Sequence, residues 1–260
     1  MNTVVVPVDF SITSLNAAHY AGKMLKGVYG ANLVLYHMYE KDSEESLANE
    51  QLEFLKKDLL KETIVKIETM TVKGDDVVEE IERVVRHRHA NLVVMGITGK
   101  SALGQVFFGS NTVKLVDKNV VPVLVVPPNA TFTKVKNVAL TSDFKDVRLT
   151  TPSVPIKAAL DIFRPALHIV NVDSEHYVSI TEEYQKGKAT MQEMFSHYHP
   201  EFYFIGMNDF YEAIEQFIKD KKIDLLIAIP RHHSILTKYF KSHTHKLIYH
   251  SDVPILAVHE

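Results

Sequence analysis

Residues Met95 to Asn111 read MGITGKSALGQVFFGSN and follow a short apolar run, NLVVM, at positions 91–95. A short apolar run that ends at glycine is typical of a strand buried on both faces of a parallel sheet. Gly96 and Gly99 come next, and Gly109 precedes a helical pattern for which Ser110 or Asn111 is a suitable N-cap. This stretch therefore predicts a strand, a glycine-bearing loop and the start of a helix.

The start of such a helix is a favourable place for an anion. Its backbone N–H groups have no partner within the helix, and the helix dipole attracts negative charge. Glycine in the preceding loop permits unusual backbone dihedrals and lets a phosphate approach the backbone. The stretch therefore predicts a phosphate-binding site.

The spacing Gly96-x2-Gly99-x9-Gly109-Ser110 resembles the ATP-binding signature of the universal stress protein family. The opening VVVPVDFS, residues 4–11, resembles the first strand of that family with its aspartate. The run VPVLVVP at 121–127 resembles its last strand. The resemblance implies that the chain binds ATP, or AMP or ADP, alone or together with Mg²⁺ or Mn²⁺.

The resemblance also implies ten ligand-binding positions. The positions expected to hold the phosphates are Gly99, Gly109, Ser110 and Asn111. Those expected at the ribose are Asp9 and Gly96, and those expected around the adenine are Pro7, Val8, Met38 and Met95.

Several of these residues have a plainer explanation beside the ligand-binding one. Gly96, Gly99 and Gly109 could be ordinary turn glycines. Asp9 could cap the first helix, a role that Ser11 and Ser14 could share. Met38 and Met95 could equally be ordinary core residues. A separate candidate, the TGKS run at 98–101, looks like the end of a P-loop, but Val94 stands where that motif needs a glycine.

Apolar runs alternate with helical patterns along the first half of the chain, which predicts a parallel α/β sheet. Strands are expected at 3–8, 31–38, 63–72, 92–95 and 121–126, and helices at 11–26, 43–61 and 75–89. After PPNAT at 127–131 the pattern restarts. Residues 137–144 repeat 3–10, residues 167–170 repeat 33–36 and residues 224–227 repeat 91–94, at offsets of 133 or 134.

A repeat of this length indicates two copies of one fold. We therefore predict two tandem copies of a five-stranded parallel fold of the Rossmann-like, adenine nucleotide alpha-hydrolase type, at residues 1–130 and 131–260. In the second copy Ile229, His232 and Lys241 stand where the first has its three glycines. Because side chains at these positions keep a ligand away from the backbone, we expect the nucleotide site in the first copy alone.

Composition limits the other classes of function. The chain has 260 residues, a formal net charge of −3 and no cysteine, which excludes disulfides and thiolate chemistry. The small charge gives no reason to expect a nucleic acid or membrane partner, and the start of the chain does not resemble a signal peptide. We expect a cytoplasmic protein. Several of the 14 histidines cluster at spacings of one or two residues, which do not share a helix face, so solvated loop histidines are favoured over a metal site near His232, His233 and His243.

No arrangement of residues indicates nucleophilic catalysis. The predicted function is that of a stress-response regulator whose nucleotide changes the surface offered to an unknown protein partner. The alternatives are an interaction protein with a structural nucleotide and a slow ATPase. The apolar strands at 121–126 and 255–258 end their copies, so we expect them to pair in an internal pseudo-dimer. A homodimer of whole chains is left open.

Overall fold

The computed structural model describes residues 3–97, 108–173, 182–230, 247–248 and 251–259, without the side chains of 108–110. The chain divides into two compact units, Met1–Thr133 and Lys134–Glu260. The boundary expected after residue 130 lies three residues before this division.

The first unit alternates strands with helices. Its strands are β1 (Thr3–Pro7), β2 (Asn32–Tyr39), β3 (Lys66–Lys73), β4 (Leu92–Gly96) and β5 (Val123–Val126). Its helices are α1 (Ile12–Met24), α2 (Glu45–Leu59), α3 (Val77–Arg88) and α4 (Phe108–Lys118), with a 3₁₀ turn at Asp42–Glu44. Each strand and helix lies close to its predicted position; β3 begins at Lys66, three residues later than the start expected at 63.

The five strands of the first unit form a parallel sheet in the order β3-β2-β1-β4-β5. The chain builds the sheet from β1 outward through β2 and β3, and then returns to add β4 on the other side of β1. The central strands are fully buried, with Val4 to Val6 and Val93 to Val94 at 0% exposure. The switch of direction between β1 and β4 opens a crevice at the carboxyl edge of the sheet, where open α/β folds bind their ligands.

The second unit also alternates strands with helices over its described residues. Its strands are β6 (Asn137–Thr141), β7 (Ala166–Val172), β8 (Glu201–Ile205), β9 (Leu225–Ala228) and β10 (Ile255–Ala257). Its helices are α5 (Val147–Thr150), α6 (Ser153–Phe163), α7 (Glu182–Met194) and α8 (Phe210–Lys221), with a 3₁₀ turn at Ser196–Tyr198. The strands are again parallel, in the order β8-β7-β6-β9-β10, which confirms the tandem fold.

The repeat extends to single backbone angles and hydrogen bonds. Phe10 and Phe144 lie 134 positions apart, and both have a left-handed backbone, with φ of 64° and 57°. His37 Nδ1 lies 2.7 Å from the carbonyl oxygen of Val8 and donates to it, since that oxygen can only accept. In the second unit Asn171 Nδ2 donates to the equivalent carbonyl oxygen at 2.9 Å. Two different side chains thus make the same bond.

The first helix differs between the units. In the first unit α1 is continuous, and Gly96 lies so close to it that a Cβ at this glycine would be 2.3 Å from Thr13 O. Ile229 stands at the equivalent position of the second unit and carries a side chain that this arrangement could not hold. There the helix is divided into α5 and α6, with Thr151 extended before Pro152, as a residue before proline prefers.

Candidate functional site

A cleft of about 410 Å³ opens at the carboxyl edge of the first sheet, at the switch between β1 and β4. Six of the ten predicted residues line it, namely Pro7, Val8, Asp9, Met38, Met95 and Asn111. They come from four separate segments of the chain: the end of β1, the end of β2, the end of β4 and the first turns of α4. Parallel strands bring their carboxyl ends to one edge, which is why these distant residues meet.

The other four predicted residues are placed less completely. Gly99 lies outside the described residues. Gly109 and Ser110 belong to the first turn of α4, which places their backbone at a helix N-terminus. Gly96 ends β4 beside the cleft but is not among the residues that line it.

Packing of the first unit explains why residue 96 is a glycine, without any ligand. The position its Cβ would take is filled by backbone atoms of α1, with Thr13 O at 2.3 Å and Thr13 C at 2.6 Å. Its own carbonyl oxygen accepts a hydrogen bond from Thr112 Oγ1 at 3.2 Å. The ribose role of Gly96 stays a prediction, while close packing of β4 against α1 explains the glycine.

Asp9 lines the cleft directly after the end of β1. Its Oδ1 accepts hydrogen bonds from Ser11 N at 3.1 Å and Ser11 Oγ at 2.6 Å. Ser11, rather than Asp9, is the N-cap of α1, with its hydroxyl accepting from Ser14 N at 3.2 Å. Among the described residues no hydrogen bond reaches Asp9 Oδ2, so this oxygen can accept from a ligand hydroxyl.

Seven further residues line the cleft, namely Tyr36, His37, Glu40, Asp75, Asp76, Val77 and Lys114. Asp75 and Asp76 come directly after β3 and before α3, so the rule that ligands bind at the carboxyl ends of strands could have found them. Lys114 follows Asn111 by nearly one helical turn, so the two share a face of α4.

Asp76 shows how the fold fixes one wall of the cleft. Its Oδ1 accepts from Val78 N at 2.9 Å and Glu79 N at 3.1 Å, which caps α3. The hydrogen bond from the Glu79 N–H is the chief reason that the pKa of Asp76 lies below its usual value, and Lys114 contributes in the same direction. The wall therefore carries a fixed negative charge at neutral pH.

The charge of the cleft is uneven. Among the described lining residues Asp9, Glu40, Asp75 and Asp76 are acidic, and Lys114 is the one Lys or Arg. A polyphosphate would be repelled by these carboxylates unless the N-terminus of α4 or a divalent cation offsets its charge. Within the described part of the chain, no group of three or more His, Asp or Glu is arranged to hold a metal ion.

Tyr36 forms part of the floor of the cleft. The side chain is fully buried, and its hydroxyl has no hydrogen-bond partner among the described residues. Burial, and then the nearby Glu80 carboxylate, raise the pKa of Tyr36, so the phenol keeps its proton. The residue therefore contributes a neutral surface to the floor of the cleft.

The first unit thus has the open parallel sheet and the switch-point cleft that define a class of α/β ligand-binding domains. Within this class, the universal stress protein family model matches residues 1–127, nearly the whole of the first unit. The first unit is therefore a universal stress protein domain. No curated protein sequence matches the chain significantly.

Several solved structures match the chain over both units. A universal stress protein from Archaeoglobus fulgidus DSM 4304 is 19% identical, with a TM-score of 0.76, and the match covers 99% of this chain and 98% of that chain. A protein from Pseudomonas aeruginosa UCBPP-PA14 assigned to the same family is 12% identical, with a TM-score of 0.70 and coverage of 100% and 93%. At these identities the likeness shows the fold alone.

A third solved structure is a universal stress protein in complex with cAMP. It is 23% identical, with a TM-score of 0.42, and the match covers 49% of this chain and 98% of that chain. The bound cAMP is a property of that protein. For the present chain, no helix in the described residues is both long and apolar enough to cross a membrane.

Proposed function

We propose that the first unit binds one adenine nucleotide in the switch-point cleft and that the protein acts as a nucleotide-dependent regulator in a stress response. The observation that carries the proposal is the convergence of Pro7, Val8, Asp9, Met38, Met95 and Asn111 on a single cleft. These residues were selected from the sequence for a nucleotide, and they lie on four separate segments. Their meeting in one cavity is what a binding site requires.

The lining chemistry fits the parts of a nucleotide. Pro7, Val8, Met38 and Met95 provide apolar surface for a flat base, and the volume of about 410 Å³ lies in the range of ligand pockets. The Oδ2 of Asp9, to which no described residue donates, can accept a hydrogen bond from a ribose hydroxyl.

The phosphates belong at the N-terminus of α4. Its first turn supplies backbone N–H groups with no partner inside the helix, and its dipole favours an anion. Lys114 on the same helix adds a positive charge. Because four carboxylates also line the cleft, we propose that ATP binds together with Mg²⁺ or Mn²⁺, whereas AMP needs no metal.

The proposed role of the nucleotide is binding without turnover, as a signal that alters the surface of the protein. A structural nucleotide and slow hydrolysis are the alternatives. Hydrolysis would need a group that positions the attacking water as well as a metal carboxylate. Phosphate release measured over many hours separates this alternative from binding alone.

The test begins with the purified full chain. Nucleotide released on denaturation is identified and counted by mass spectrometry, and the stripped protein is titrated calorimetrically with ATP, ADP and AMP, with and without Mg²⁺. We expect about one adenine nucleotide per chain. The variant Asp9→Asn keeps a hydrogen-bond acceptor for Ser11 but loses the charge, and its nucleotide affinity should fall about tenfold, since a hydrogen bond to a charged group contributes ~1.5–3 kcal/mol.

Asp143→Asn is the matched control, since Asp143 holds the equivalent position in the second unit and accepts in the same way from Lys145 N at 3.0 Å. It should leave nucleotide binding unchanged. Gly109→Val, which adds a branched side chain to the first turn of α4, should abolish binding. Two nucleotides per chain would show a second live site, and none after incubation with ATP and Mg²⁺ would refute the proposal.

A further inference from the structure

A second cavity of the first unit, which we name the α1–α2 groove, lies between those two helices and has a volume of about 650 Å³. Its apolar lining consists of Phe10, Leu15, Leu47, Phe54 and Leu55. The groove is separate from the cleft, since no residue lines both cavities.

Helix α2 has two apolar faces. One face, formed by Ala48, Leu52, Leu55 and Leu59, is buried. On the other, Leu47 and Phe54 are 58% and 74% exposed, although the helix is otherwise rich in charged residues. Exposed large apolar side chains that line one cavity mark an interaction site rather than a random scatter.

The second unit has a cavity of about 590 Å³ at the equivalent place, but its α7 wall is polar and is formed by Glu182, Glu183, Lys186 and Thr190 beside Gly187. There the residue equivalent to Phe10 is Phe144, which is 1% exposed and packs against the rings of Tyr184, Phe202 and Phe204. Gly187 lets α7 lie directly on it, because a Cβ at this glycine would be 2.1 Å from Phe144 O. None of the residues of α7 is a large apolar side chain exposed to solvent.

Phe10 also touches the wall of the cleft. It directly follows Asp9, and its ring centroid lies 4.7 Å from that of His37, which lines the cleft and donates to Val8 O. Its left-handed backbone, with φ of 64°, is a strained conformation for a residue with a side chain. Phe10 is only half-buried, so its ring is held less tightly than that of Phe144.

The charges and dimensions of the groove indicate what it accepts. Glu50, Glu53 and Asp58 line it beside Lys57 and His19. Glu53 and Asp58 pair with Lys56 and Lys61, whereas Glu50 forms no ion pair with any described residue. Leu47 and Phe54 are seven residues apart, which is about 10 Å along the helix. This matches the spacing of apolar anchors on a docked amphipathic helix, and the acidic residues favour Lys or Arg on its flanks.

We propose that the α1–α2 groove docks an amphipathic helix of a partner protein, with apolar anchors two turns apart and basic flanks. We further propose that the occupant of the cleft changes the affinity of this docking through His37 and Phe10. The second part rests on the proposed nucleotide binding, whereas the docking itself does not.

A selection from phage-displayed random peptides of about 16 residues, or roughly four helical turns, tests the docking on the full chain. Selected peptides should carry apolar residues at helical spacing with Lys or Arg beside them. Titration of a labelled synthetic peptide, followed by fluorescence anisotropy, should show a loss of about tenfold or more in the Phe54→Glu variant. Ile64→Glu is the matched control, since Ile64 is 87% exposed and lies outside the groove, and it should change nothing.

The docking would be overturned if no peptide emerged whose binding depends on Phe54, or if acidic flanks were selected. The coupling is read from the same titration with saturating and with no adenine nucleotide, after calorimetry has shown whether the nucleotide binds. Nucleotide binding without any change in peptide affinity would overturn the coupling. If calorimetry showed no nucleotide binding at all, the proposed function and the coupling would both be refuted. The docking would still be decided by the peptide titration.

Discussion

The replacement Gly96→Ala tests whether packing alone explains this glycine. The added Cβ would lie 2.3 Å from Thr13 O, 2.6 Å from Thr13 C and 3.2 Å from Ser14 N. A relaxed carbon–oxygen contact is about 3.3 Å, so α1 or β4 must move by about 1 Å. The obstacle is backbone at the start of a buried helix and cannot rotate away as a flexible side chain could.

Overpacking of this kind costs ~1–3 kcal/mol, and a rigid obstacle favours the upper end of the range. For a unit of this size, ~3 kcal/mol corresponds to a lower melting temperature by about 10 °C. The measurement is denaturant unfolding of protein stripped of nucleotide, so that any loss of bound ligand cannot contribute to the change. Since two units can unfold separately, the transition of the first unit has to be followed on its own.

Gly22→Ala provides the matched control on the same helix. A Cβ at Gly22 would meet Leu59 Cδ2 at 3.4 Å and Thr63 Cγ2 at 3.6 Å, which are ordinary contacts. Replacing a glycine inside a helix by alanine should therefore stabilise the unit, by ~0.5–1 kcal/mol. If Gly96→Ala left the free energy of unfolding unchanged, the packing explanation would be refuted and a direct role toward the ligand would become the better account of this residue.

Three further predictions concern single side chains. Burial lowers the pKa of His168 below 6.5, so the folded state favours the neutral ring. The stability gained by burying this neutral ring is fully present above pH 6.5 and is lost as the pH falls below that value. In urea unfolding, the free energy of unfolding should therefore fall less between pH 7.5 and pH 5 for His168→Gln than for the parent protein. An equal fall in both proteins would contradict the assignment to His168. Phe144→Gly should destabilise the second unit by at least ~3 kcal/mol, because it removes a fully buried ring. Phe10→Gly should be nearly neutral, because relief of the left-handed backbone offsets the loss of a half-buried ring. Similar losses of stability for the two variants in thermal unfolding would be evidence against this distinction. Asp76→Ala and Asp209→Ala each remove a side chain that caps a helix through two backbone N–H groups. Each should lower the free energy of unfolding by ~1 kcal/mol in denaturant unfolding, and Asn in place of Ala should restore most of that loss.

Much of the fold could be predicted because its signals are local. A buried parallel strand needs a short apolar run, and an amphipathic helix needs apolar residues at helical spacing. The chain has both signals in alternation and then repeats them, so the duplication of the fold could be predicted from the similarity of residues 3–10 and 137–144. Boundaries were less certain, as the later start of β3 at Lys66 shows, since they depend on hydrogen bonds between neighbouring strands.

The site could be predicted only in part. Asp9 and Asn111 were recognised because they belong to local motifs next to the first and fourth strands. Asp75 and Lys114 carry no motif of their own and reach the cleft only because α3 and α4 begin at the same edge of the sheet. The pairing of strands 121–126 and 255–258 in an internal pseudo-dimer stays a prediction.

The sequence by itself determined the parallel α/β architecture, its duplication and the chemical types of the groups at the cleft. The tertiary structure decided which of these groups meet, since only the strand order places the ends of β1 and β4 side by side. It also decided why Gly96 is a glycine, because the backbone of α1 fills the place of its side chain. Distances between segments far apart in the chain depend on how closely helices approach the sheet, and local sequence patterns do not encode that approach.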